Sequence, residues 1–201
     1  MPKLFDKYQY LTPLSVTSKE SVLLSDSINL KRKAVRKAAQ RFEFVITVKG
    51  GKDDSLNSDL MAHYMKYSLD LPFYIDVPQH LYTEKSILGS NISVSNSQNR
   101  GVSALAISSN FPFNIPAGRF ITFEGSDKLY SVTEAVEGEY SSGSYIGTLN
   151  ISPPLQTTIS AATKVEIEDV KALVFNEVDN AVFNYSGGIV QEASLKFVEN
   201  V

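Results

Sequence analysis

The sequence predicts a mainly-β chain of two β domains, one built from both chain ends and the other a small barrel inserted between them. Three observations predict it. Period-two alternation of apolar and polar residues recurs along the chain, as in Ile121 and Phe123 against Thr122 and Glu124, or Val165 and Ile167 against Lys164, Glu166 and Glu168. That period belongs to half-buried antiparallel strands. From about residue 84 to 169 the strands are short and separated by Gly, Ser, Asn and Pro, and from Val170 the character of the N-terminal part returns. Finally, 201 residues with 43% hydrophobic and 20% charged content can bury a core in one large or two small domains.

In chain order, residues 1–30 read as strand and loop, with Val22, Leu23 and Leu24 as buried positions. Phe42, Phe44, Ile46 and Val48 then share one strand face, and Arg41, Glu43, Thr47 and Lys49 the other. Gly50-Gly51 ends that strand. A helix is expected over 54–69. Asp53, Asp54 and Ser55 supply its cap, Leu56, Leu60 and Tyr64 recur at i, i+4, and Pro72 follows its end. Phe73, Ile75 and Val77 form a short strand.

Six strands are expected in the inserted part, around 92–95, 102–108, 119–124, 129–133, 144–151 and 164–168. Gly125-Ser126-Asp127-Lys128 is a hairpin loop between the third and fourth. Six short strands with close turns suggest a closed or nearly closed barrel. Past Val170, strands are expected at Leu173 and Phe175, at Val182-Phe183 and Ile189-Val190 around Gly187-Gly188, and at Leu195 and Phe197. Insertion of one domain in another suits chain ends that lie close together.

Catalytic equipment is sparse. With no cysteine there are no disulfides, thiol nucleophiles or thiolate metal sites. His63 lies four residues after Asp59 on the expected helix, without further ligands at a recognised spacing; His80 reads as a loop residue. Ser141, Ser142 and Ser144 surround Gly143 as a flexible connection, with no G-x-S-x-G elbow. Asp53/Asp54 and Glu166/Glu168 are carboxylate pairs, the second on a solvated strand face. There is no Walker loop and no G-x-G-x-x-G. No catalytic residue, metal ligand or cofactor site is therefore expected, and the chain is read as a non-enzyme. No run of about 18 apolar residues exists, and MPKLFDKYQYLTPL lacks the pattern of a signal peptide, so no membrane partner is expected. The N-x-S matches at Asn91, Asn150 and Asn184 are short enough to arise by chance.

Two surface features carry binding hypotheses. Lys31, Arg32, Lys33, Arg36, Lys37 and Arg41 hold six of the 19 basic residues, and removing them from the net charge of −3 leaves −9 elsewhere. Such a run can be a solvated edge that blocks strand pairing, or it can grip phosphates or the acidic face of a neighbouring copy in a head-to-tail ring. Phe111-Pro112-Phe113 is either an exposed stacking or docking patch or the plug at one end of the barrel. Between 86 and 169 four cations face eight acids, which argues against sequence-specific nucleic-acid binding by the barrel.

Four segments resemble the distal tail proteins of long-tailed (siphovirus-type) bacteriophages in their two-domain form. AQRFEFVITV at 39–48 resembles that family's long first-domain strand. The helix over 54–69 with LPFYIDVP at 71–78 resembles its helix-then-strand. IPAGRFITF and KLYSVT resemble its hairpin pattern K-A-G-D-x-F-x-F…K-V-Y-x-V-T, with Arg119 where the pattern often has an acid. TLNISPPL and ATKVEI resemble the segment that closes its barrel. The resemblance implies a β-sandwich-like domain with one helix over 1–83 and 170–201, and an inserted barrel of the oligonucleotide/oligosaccharide-binding (OB) type over 84–169. It also implies a structural virion protein of the tail tip or baseplate. As such it would be made in the host cytoplasm and assembled as a hexameric ring between the tail tube and the tail hub. Side fibres and host polysaccharide are further implied partners, and a carbohydrate- or receptor-binding module at the tail periphery is the alternative role.

Overall fold

The computed structural model describes residues 14–26, 32–49, 66, 71–77, 91–177, 182–186 and 189–200. The chain is mainly β. It divides into two compact units, Met1–Asp76 with Ala172–Val201, and Val77–Lys171. The chain therefore passes between units at 76/77 and 171/172, where the change of sequence character suggested 83/84 and 169/170.

The first unit holds β1 (Leu14–Asp26), β2 (Arg32–Lys49), β3 (Phe73–Asp76), β13 (Lys171–Asn176), β14 (Val182–Ser186) and β15 (Ile189–Glu199). They form one six-stranded sheet in the order β1-β2-β15-β13-β3, with β14 also on β15. The expected helix lies outside the described residues, apart from Lys66, which is helical. Phe44 pairs across the sheet with Phe197, and the Phe197 ring meets Phe73 edge-on at 5.3 Å. Direct cross-strand aromatic pairs of this kind anchor register as well as burying area. Alternation on β3 is clean, with Phe73 and Ile75 buried and Tyr74 and Asp76 only half-buried. On β13, Ala172, Leu173 and Val174 are all buried, so that strand is covered on both faces and alternation alone under-reads it.

Glu43 departs from the expected polar face: it is 3% exposed. Register explains why. Glu43 lies opposite Thr17 of β1 and Val198 of β15, so Lys19 and Lys196 are its diagonal neighbours. Diagonal positions are within reach of long side chains. Lys19 pairs with Glu43, and the Lys196 ammonium lies 3.2 Å from Glu43 and 2.5 Å from Glu177. The lysine stems close over a carboxylate that period two alone would leave in water.

The second unit holds β4 (Ser93–Val94), β5 (Ala104–Ser109), β6 (Asn114–Ile115), β7 (Phe120–Phe123), β8 (Tyr130–Val132), β9 (Val136–Glu137), β10 (Glu139–Ser141), β11 (Ser144–Ser152) and β12 (Val165–Glu166). The six expected strands correspond to β4, β5, β7, β8, β11 and β12. Their sheet order is β12-β7-β8-β11-β5-β4, with β10 on β11 and a separate β6–β9 pair. The two ends of that order meet. Ser93 bridges Lys164, the Val94 N–H donates to Thr163 O at 2.9 Å, and the Val165 N–H donates to Ile92 O at 2.8 Å. The sheet is thus a nearly closed barrel, which removes most exposed strand edges. Leu105, Ile107, Ile121, Tyr130, Leu149 and Ile151 are among the residues that fill it.

Arg119, the residue that breaks the hairpin pattern, is 7% exposed, and its Nε and Nη2 donate to Ile167 O at 3.4 and 3.2 Å. The side chain ties the start of β7 to the chain just beyond β12. Burial lowers the guanidinium pKa, and the nearby Glu168 carboxylate acts in the opposite sense.

Phe113 is 1% exposed and belongs to the barrel core, so it is not part of an exposed patch. Two glycines make room for it. A Cβ on Gly138 would lie 2.7 Å from the Phe113 ring, and one on Gly147 would lie 3.2 Å from the ring and 2.9 Å from Val136. The Gly138 N–H also donates to Phe113 O at 2.9 Å, so backbone and ring approach Gly138 together. Gly138→Ala is expected to destabilise the barrel by about 1–3 kcal/mol through overpacking. Urea unfolding followed by circular dichroism checks this; a cost near zero would mean the ring is not held against that backbone.

Candidate functional site

Among the described residues, no cluster of three or more His, Asp or Glu could hold a metal ion. His63, His80, Asp53 and Asp54 lie outside the described residues. Glu166 is ion-paired with Lys164 at 2.9 Å on an open face, and that hydrogen bond and charge raise the Lys164 pKa. The serine segment, expected as a flexible connection, closes a hairpin. Ser142 and Gly143 have φ of 52° and 93°, and Ser141 pairs with Ser144, which makes a tight two-residue hairpin turn. Among the described residues, no helix is long and apolar enough to cross a membrane.

The basic run lies on an arm. β2 pairs with β15 only from Glu43 to Lys49, whereas it pairs with β1 back to Arg32. The segment from Arg32 to Phe42 therefore continues past the β15 pairing as a ribbon with β1, among the described residues. Arg32 is opposite Asp26, Lys33 opposite Ser25, Arg36 opposite Val22 and Arg41 opposite Lys19. The register breaks between Glu20 and Val22, so Lys37 lies in the irregular stretch of β2. Arg41 is exposed, and Lys31 lies outside the described residues. The ribbon is anchored at its base, where the Phe42 N–H donates to Glu199 Oε2 at 2.9 Å and Gln40 Nε2 to Ser18 Oγ at 2.5 Å.

The aromatic patch divides. Phe113 is unavailable to any ligand, while Phe111 is 56% exposed. Sequence reasoning did not name two other exposed large apolar side chains of this unit, Tyr140 at 69% and Ile146 at 44% exposure, which stand on opposite faces of the β10–β11 ribbon. Tyr140 packs edge-on against Tyr145 at 5.2 Å, and Tyr145 lies opposite Ser109 on β5, two residues before Phe111. On the other side of the same ribbon Glu139 pairs with Ile146, and the two help line an open cleft of about 510 Å³. Val136, Glu137, Gly147 and Thr148 continue its wall. Glu137 and Glu139 are exposed and have no ion pair among the described residues. The sequence signal that marks this place is local charge: Leu129 to Thr163 holds Glu134, Glu137 and Glu139 and no cation.

Among the described residues, the surface features that stand out are a cationic ribbon on one unit, and an acidic cleft and exposed aromatics on the other. No family model matches the chain, and no curated protein matches it in sequence.

Proposed function

We propose that the protein is a structural, non-enzymatic component of a bacteriophage tail tip, a ring-forming distal tail protein that joins the tail tube to the tip or baseplate. The observation that carries this reading is the basic β1–β2 ribbon. A two-stranded ribbon is marginal in water by itself. One that bears Arg32, Lys33, Arg36, Lys37 and Arg41 on a chain of net charge −3 is suited to a contact with an acidic surface. Copies related by rotation meet such contacts head to tail and close into a ring. The four resembling segments support the same reading, and six copies is the ring size they imply. The tail tube and hub proteins are then the axial partners.

Sedimentation and electron microscopy test it, alone and beside the tail tube protein. Rings are expected for the native chain, and Arg36→Glu with Lys37→Glu is expected to weaken them in a salt-dependent way. Unchanged assembly in that variant, or a native chain that never assembles, would count against the reading.

The exposed Phe111 and Tyr140 favour a second reading, a carbohydrate- or receptor-binding module at the tail periphery. A glycan array decides: specific hits lost on Tyr140→Ala support it, and a blank array removes it.

A further inference from the structure

We infer that the acidic cleft of the barrel is the seat of the basic ribbon from a second copy of the chain. The inference rests on the ring reading and assigns the surface that the ribbon grips.

Three observations select this cleft among the acidic places of the barrel. Its carboxylates are uncommitted. Glu166 is held by Lys164, Glu134 accepts from Asn150 Nδ2 at 2.9 Å, and Glu168 lies beside Arg119, whereas Glu137 and Glu139 carry no ion pair among the described residues. The segment that carries these carboxylates also lacks cations, since none occurs between Leu129 and Thr163. The wall is also partly apolar, with Val136 and the exposed Ile146 next to the carboxylates.

The ribbon has the matching chemistry. In Arg32-Lys33-Ala34-Val35-Arg36-Lys37-Ala38-Ala39 the cations alternate in pairs with small apolar residues. A groove of carboxylates and aliphatic side chains meets both kinds at once, which neither a purely acidic nor a purely apolar groove would do. The backbone from Arg32 to Arg41 spans about 30 Å at roughly 3.3 Å per residue, which is reach enough to cross to a neighbouring copy. Charge complementarity of this sort sets register and suppresses wrong partners more than it adds raw affinity. It would therefore fix where one copy meets the next.

The test uses the full chain. Light and heavy isotope-labelled copies are mixed, allowed to assemble, and treated with a carbodiimide that joins lysines to carboxylates at contact distance. Links between Lys33 or Lys37 of one copy and Glu137 or Glu139 of the other are expected. Glu137→Lys with Glu139→Lys is expected to weaken self-association on the order of 100-fold, and adding Arg36→Glu with Lys37→Glu to recover about tenfold or more. Glu137→Gln with Glu139→Gln, which changes no shape, should give a smaller loss in the same direction. Rings that keep their native affinity in both glutamate variants, or links confined to one copy, overturn this docking site and leave the ring reading standing. A native chain that never self-associates overturns both.

Discussion

Phe113→Ala is expected to lower the stability of the barrel by about 3–5 kcal/mol. The ring is fully enclosed, and the surface that encloses it cannot follow it inward. Gly138 and Gly147 present bare backbone to the ring, and backbone held by strand pairing relaxes less than side chains do. The cavity left by alanine would therefore stay largely open. Hydrogen exchange localises the loss: protection should fall around Gly138 and over β11, which meet the ring, while the sheet of the first unit keeps its protection. Phe113→Leu conserves more volume and should cost less, roughly 1.5 kcal/mol or under. In that background Gly138→Ala should become cheaper, because the ring edge that a Cβ would strike is gone. Such coupling is measurable in a double-mutant cycle. Additive costs for the two substitutions would show that the ring and the glycine do not share one constraint.

The strands that sequence made legible are those in which burial is one-sided. β8, β11 and β12 place alternate residues such as Tyr130, Leu149 and Val165 in the barrel core, whereas on β7 Thr122 is buried along with Ile121 and Phe123. β6, β9 and β10 escape because they are two or three residues long, and β10, Glu139-Tyr140-Ser141, is exposed throughout. No apolar face exists there for a period to report. The basic run was legible as charge, but its place on a ribbon depends on where the pairing of β2 with β15 stops, and that is a register fact. The cleft was less legible still. Glu139 becomes a neighbour of Ile146 only through the tight Ser142-Gly143 turn, and sequence reads that segment simply as a loop. Phe111 and Phe113 differ by two residues and would share a face on a regular strand, yet Pro112 intervenes and only Phe113 enters the barrel.

Glu43→Ala is expected to destabilise the first unit by roughly 3 kcal/mol, toward the low end of what breaking a buried ion pair costs. The asymmetry of exposure sets that size. The Lys19 and Lys196 side chains are 52% and 24% exposed, so both ammoniums can return to water once the acid is gone, whereas Glu43 at 4% cannot. Removing a lysine instead strands the carboxylate. The same arrangement gives the unit a pH signature. Burial pushes the Glu43 carboxyl pKa up, but the hydrogen bonds and charges of Lys19 and Lys196 outweigh burial and hold it below the ordinary carboxylate value. A depressed folded-state pKa contributes stability that is complete above the ordinary carboxylate range and is lost as pH falls through the folded value. The Lys196 ammonium behaves in the opposite sense. Its pKa is raised by its hydrogen bonds to Glu177 and Glu43, so its contribution is complete below the ordinary lysine range and is lost as pH rises through the folded value. Thermal unfolding of the native chain should therefore show a stability plateau with an acid and an alkaline limb. In Glu43→Gln the acid limb should flatten and the alkaline limb, still supported by Glu177, should persist in part. An acid limb of unchanged depth in that variant would show that Glu43 is not held ionised by the two lysines.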